Sequence, residues 1–110
     1  MGNTTEPAFA DALNRLWVKF LPQMEERVSA LETAAAALAA GTLTQEEQNQ
    51  ASSEAHKLAG VLGTFGLHEG TTLAREAEEA YKSTVRAGQA PANRLVEIAG
   101  RLRAMLASRQ

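Results

Sequence analysis

No cysteine occurs in the 110 residues, which removes disulfides, thiolate metal sites and thiol nucleophiles at once. Aromatic residues make up 5%, and Val and Ile are sparse with no clean period-two alternation, so strands have little to be built from. Charge of one sign is lacking too: a net charge of −2 leaves no basic footprint for nucleic acid. No apolar run nears the roughly 18 residues that a membrane span needs. The longest, Ala34 to Ala40, is a short alanine tract. The start, Met1-Gly2-Asn3-Thr4-Thr5-Glu6, has no basic or apolar region of a signal peptide. Glu6 also stands where a myristoylation pattern wants Ser or Thr. No phosphate-binding loop, nucleotide motif or triad is visible, so the chain is not expected to be an enzyme by itself. The absences together predict a cytoplasmic domain with neither membrane nor nucleic acid among its partners.

What is present is helical. Hydrophobic residues at 45% and charged residues at 22% suit one soluble globular domain, expected over 7–110 behind a loose tail at 1–6. Phe9, Leu13, Leu16, Trp17 and Phe20 recur at three- and four-residue spacing and predict a short first helix. Pro22 interrupts it, as a first-turn residue of the next segment or as a kink. Met24, Val28, Leu31, Ala35 and Leu38 then follow a four-three pattern to Gly41, a C′ glycine. Thr44 with Glu47 reads as a capping box opening a helix that runs to about Phe65, with Gly66 closing it. A further helix begins near His68 to Thr71, carries Leu73, Ala77, Ala80 and Thr84 flanked by Tyr81, and ends at Gly88. Pro91 starts the last, with Leu95, Ile98, Leu102 and Met105. The expected fold is all-α: an antiparallel up-down-up-down four-helix bundle with an additional short N-terminal helix, its short connections favouring antiparallel neighbours.

His56 breaks the pattern of an ordinary bundle helix. Ala51, Ala55, Leu58, Leu62 and Phe65 form one apolar stripe, and His56 projects roughly 150° from its centre. Gly60 and Gly63 lie beside it one turn on, and Asn49, Ser52 and Ser53 one turn before. Each helical glycine costs about 1 kcal/mol relative to Ala, so two beside an exposed imidazole suggest that something bulky must reach the ring. Glu78, on the shoulder of the following helix with Arg75 and Lys82 as its i−3 and i+4 neighbours, has two readings. It accepts from Nδ1–H and leaves Nε2 as an exposed nucleophile, or it is a solvated partner of Lys82. A metal site is not expected: His68-Glu69 lacks the second His of a zinc-protease helix, and His68 reads as a helix-start residue.

The run His56-Lys57-Leu58-Ala59-Gly60-Val61-Leu62-Gly63-Thr64-Phe65-Gly66-Leu67 resembles the signature of histidine-containing phosphotransfer domains, the four-helix-bundle intermediates of two-component phosphorelays. That signature sets an apolar residue, Gly and Gly at two, four and ten positions after the His, matched by Leu58, Gly60 and Gly66. Gly63 agrees with many members. The segment Leu67 to Glu78, the helix count and the position of the His add to the likeness. It implies that His56 takes a phosphoryl group from a sensor kinase or a receiver aspartyl-phosphate and passes it to a response-regulator receiver aspartate. Family members often place a hydrogen-bonding Gln or Glu where Glu78 stands, and some a basic residue where Lys82 stands. The common Lys three positions after the His is replaced by Ala59, which leaves Lys57 and Lys82 as candidates for the phosphate-facing cation. The resemblance implies no cofactor of the chain's own, Mg²⁺ being expected on the partner receiver, and suggests a monomer. Phe9, Leu13, Trp17 and Phe20 cap the core or, for Phe9, Leu13 and Trp17, dock a receiver. The rival reading is a non-catalytic helical adaptor in which His56 is a surface residue.

Overall fold

The computed structural model describes the backbone of residues 5–83 and 89–108 and the side chains of residues 8–83 and 91–108. The described residues form four helices: α1 (Thr5–Ala40), α2 (Gln45–Thr64), α3 (His68–Lys82) and α4 (Gln89–Ser108). There is no strand among the described residues, and no helix is long and apolar enough to cross a membrane.

Helix ends follow the residues that can satisfy their orphan backbone groups. At Gly41, with φ +74°, the amides of Gly41 and Thr42 return to the carbonyls of Leu38 and Ala37 at 3.1 and 2.8 Å, a Schellman closure that needs a left-handed residue. Gly66, with φ +73°, closes α2 in the same way through Gly66 to Gly63 and Leu67 to Leu62, both at 3.0 Å. Thr44 opens α2 with a complete capping box, its hydroxyl accepting from the Glu47 amide at 3.1 Å and its amide donating to the Glu47 carboxylate at 2.9 Å. Pro91 sits in the first turn of α4, where its missing N–H has no helical partner to lose.

The helices pack in a closed cycle, α1 on α2 and α4, α2 on α3, and α3 on α4. Arg27 of α1 bridges to Glu54 of α2 at 2.7 Å, while Trp17, nearly three turns before Arg27, meets Phe65 at the far end of α2 edge to face, with ring centroids 5.1 Å apart. Ser52 and Thr71 link α2 and α3 in opposite order, to the carbonyls of Glu78 and Ala59. Both pairings are antiparallel, giving the up-down-up-down bundle. The core comprises the expected residues of α1 and α2, among them Met24, Val28, Leu31, Ala35, Leu38, Ala55, Leu58 and Leu62. In α3 the buried line is Leu73, Ala74, Ala77 and Tyr81. Ala80 is only partly buried, and Thr84 and Gly88 lie outside the described residues. In α4, Leu106 is buried, and Met105 is half-buried.

The first helix differs from the expectation. No separate short N-terminal helix exists: α1 runs unbroken through Pro22 for 36 residues, about 54 Å at 1.5 Å per residue, and sets the long dimension of the 57 × 21 × 20 Å molecule. Proline removes one helical hydrogen bond and crowds the preceding turn. The burial on either side outweighs this, because Trp17, Leu21, Met24, Val28, Leu31, Ala35 and Leu38 hold one four-three register straight through residue 22. The helix also begins at Thr5, inside the segment expected as a tail, whose first four residues lie outside the described ones.

Candidate functional site

Three polar side chains on α2, each four residues after the last, face α3: Gln48, Ser52 and His56. The Gln48 amide nitrogen donates to the carbonyls of Tyr81 and Ser83, both at 2.9 Å. The Ser52 hydroxyl donates to the carbonyl of Glu78 at 3.2 Å. These neutral groups fix the register of α3 on α2, and the register puts the Glu78 carboxylate beside the third member of the row. His56 Nδ1 lies 3.0 Å from Glu78 Oε2. A carboxylate only accepts, so Nδ1 carries the proton and, in the neutral ring, Nε2 keeps the lone pair. The side chain of His56 is 72% exposed while that of Glu78 is 18% exposed: the orienting group is sheltered and the oriented one is open to a partner.

A hollow of about 410 Å³ lies beside the ring, lined by His56, Ala59, Gly60, Arg75, Glu78 and Glu79. Ala59 is packed, at 3% exposure, and its carbonyl accepts from Thr71 Oγ1 at 3.4 Å. Gly60 has nothing within 4 Å of where a Cβ would stand, so its lack of a side chain answers no need of the bundle and opens the flank of the imidazole. Among the described residues no three of His, Asp and Glu gather into a group that could hold a metal ion.

The structure brings together His56, Glu78 and Gly60. Gly63 instead looks toward Thr71, whose Oγ1 would lie 3.6 Å from an added Cβ. Lys57 and Lys82 are exposed and do not line the hollow: Lys57 stands 100° around α2 from His56, and Lys82 stands a turn beyond Glu78. The cation that does line it is Arg75. Trp17 is 3% exposed and stacked edge-on to Phe65, so it caps the core and offers no docking surface. Leu13 and Phe20 are partly buried against the core, and Phe9 is 69% exposed on the part of α1 before Trp17. Gln48 lies outside the motif around His56, and its spacing of eight from His56 is the one sequence signal that sets it in the same row.

A family model described as Hpt domain matches residues 15–110. A 66-residue stretch, 60% of the chain, is 39% identical to Protein RcaC of Microchaete diplosiphon, and spans only 10% of that relative's length. No solved structure matches significantly.

Proposed function

The chain belongs to the Hpt domain family, a phosphotransfer family of two-component signalling, and on that premise we propose that His56 is the residue that carries the phosphoryl group. The observation behind this is the 3.0 Å contact from Nδ1 to Glu78, which in the neutral ring puts the lone pair on Nε2, in a side chain that is 72% exposed. Nε2 attacks the phosphorus of a receiver aspartyl-phosphate or a kinase phosphohistidine in line. A P–N bond forms, the bond to the donor breaks, and its electron pair leaves with the donor's carboxylate or imidazole. The ring becomes cationic as the bond forms, and Glu78, already accepting from Nδ1–H, stabilises that charge. The reverse step delivers the group to the aspartate of a response-regulator receiver. Positioning and charge stabilisation are most of what such a transfer requires. The partner supplies the Mg²⁺ and the acidic cluster, and the chain is a carrier, acting as a cytoplasmic monomer, with no catalytic activity alone.

The test is phosphoryl uptake from phosphorylated receivers, kinases and the small-molecule donor phosphoramidate. Label that is acid-labile, base-stable and absent from His56→Gln is expected. Since His56 is largely exposed, that variant keeps the fold, and equal labelling of both proteins would reassign the site. No label from any competent donor would leave the adaptor reading.

A further inference from the structure

Among the described residues four arginines tie helices together: Arg27 to Glu54, Arg94 to Glu76, Arg101 to Glu69 and Arg103 to Glu32. Arg75 makes no ion pair with a described residue, although Glu78 and Glu79 line the same hollow. We infer that Arg75 is the cation that faces the phosphoryl group on His56, in place of a lysine on α2; the inference rests on His56 being the phosphorylated residue.

Register places it there. Along antiparallel α3, Thr71 bonds the carbonyl of Ala59 and Glu78 bonds His56, so Arg75, between them, lies abreast of the stretch from His56 to Gly60. It is one turn from Glu78 on the same face. Lys82 stands beyond Glu78 on the other side, near Gln48, which bonds the carbonyls of Tyr81 and Ser83. On α2 itself the hollow is floored by Ala59 and Gly60, which bring no charge and leave room for a side chain reaching across from α3. A phosphoryl group entering the hollow would otherwise meet two carboxylates, Glu78 and Glu79, and no counter-charge. A guanidinium presents a planar fork of donors that matches phosphate oxygens, two at a time, better than an ammonium does. Arg75 is thus a positioning and charge-balancing residue that acts on the phosphoryl oxygens, whereas Glu78 acts through the ring.

Phosphoramidate separates this role from partner docking, because it phosphorylates the ring with no protein surface involved: its P–N bond breaks, Nε2–P forms, and ammonia leaves. Arg75→Gln is expected to slow uptake from phosphoramidate by about tenfold to a hundredfold, the equivalent of one or two charge-assisted hydrogen bonds. It should also raise the pH at which the phosphoryl group titrates in ³¹P NMR, since a nearby cation favours its dianion. Arg75→Lys should recover part of both effects, and Lys57→Gln and Lys82→Gln should show smaller ones than Arg75→Gln. Arg15→Gln, which alters a remote exposed arginine of α1, is the control for lost charge alone. Label still lost on His56→Gln, with Arg75→Gln matching wild type in rate and phosphoryl titration, would overturn the role of Arg75 and leave the carrier reading standing. A larger loss in Lys57→Gln or Lys82→Gln would overturn it too. A wild-type protein that takes no label from phosphoramidate or any phosphorylated receiver would bring down the carrier reading itself, and the inference with it.

Discussion

The two long edges of α3 carry similar residues and use them in opposite ways. On the edge toward α4, Glu76 takes both Nε and Nη2 of Arg94 at 2.6 Å, and Glu69 is bonded by Arg101. Each carboxylate there is closed off by a guanidinium. On the edge toward α2, neutral donors bonding to backbone carbonyls hold the register, as Gln48, Ser52 and Thr71 do. The charged groups of that edge are left incompletely used: Glu78 holds one imidazole nitrogen, and Arg75 holds nothing among the described residues. Charges that staple helices are paired off. Charges that serve a transferred group must be held in place by other means, so that they have capacity left when the group arrives.

Exchanging the same substitution between the edges tests that contrast, and the largest effect is expected here. Glu78→Gln keeps the volume but removes the charge that stabilises the cationic ring, and lets either ring nitrogen carry the proton. Loss of such an orienting carboxylate typically lowers activity about 10- to 100-fold. Glu76→Gln, two residues away on the edge toward α4, is expected to leave uptake from phosphoramidate at the wild-type rate. Equal losses in the two variants would mean that α3 acts on His56 only through its general stability, which a thermal melt of each would show directly.

Glycines draw the same line in packing. A Cβ on Gly70 of α3 would lie 2.6 Å from Met105 Sδ and 3.0 Å from Leu62 Cδ1. Met105 can swing, but Leu62 is fully buried, and overpacking of this kind outweighs the gain in helix propensity. Gly70→Ala is expected to lower unfolding free energy by about 1 kcal/mol. Gly60→Ala meets nothing and should raise stability by about 0.5 to 1 kcal/mol. Chemical denaturation of the two variants reads both signs. Gly60→Leu should also stay folded, yet slow transfer from a phosphorylated receiver more than from phosphoramidate. A destabilised Gly60→Ala would show that residue 60 is kept small for the bundle and not for access to the ring.

Local signals in the sequence were sufficient for most of this. The capping box at Thr44 and Glu47, the closing glycines 41 and 66, and the buried stripe of α2 each depend on residues within one or two turns, and each stands where periodicity and cap chemistry predict. The contact of His56 with Glu78 was legible as one of two alternatives, because both residues sit off the apolar lines of their helices. What was missed needed information from across a helix interface or a long continuous register. Pro22 suggested a break, since a local rule for proline does not weigh the Trp17 and Met24 burial seven residues apart that carries α1 through it. For Trp17 the sequence leaves core capping and receiver docking both open, because the partner that decides for the core, Phe65, is on another helix. That Arg75, and neither Lys57 nor Lys82, lines the hollow is not legible either, because spacing along one helix does not reveal which residue of α3 stands abreast of Ala59. The hydrogen bond from Thr71 to the Ala59 carbonyl does.

The paired charges outside the hollow should also disclose themselves by titration, with the smallest effect. Hydrogen bonds from Arg103 hold the Glu32 carboxyl below its ordinary value of 4.5, against the opposing effect of partial burial, and Arg94 does the same for Glu76. In the unfolded chain these carboxyls return to the ordinary value. Well above pH 4.5 both states are ionised and the pairs contribute in full. As pH falls through that value, the unfolded chain takes up protons first, so stability declines with falling pH until the folded carboxyls are protonated as well. Glu32 and Arg103 are 41% and 38% exposed, and solvent screening limits their pair to a few tenths of a kcal/mol. Thermal midpoints measured from neutral pH to well below 4.5 should therefore fall on the acid side, and Glu32→Gln should flatten a small part of that fall while leaving phosphoryl uptake unchanged. An acid slope identical in wild type and Glu32→Gln would show that the bridge between α1 and α4 contributes nothing. The distinction between stapling charges and spare ones would then rest on the α3 edges alone.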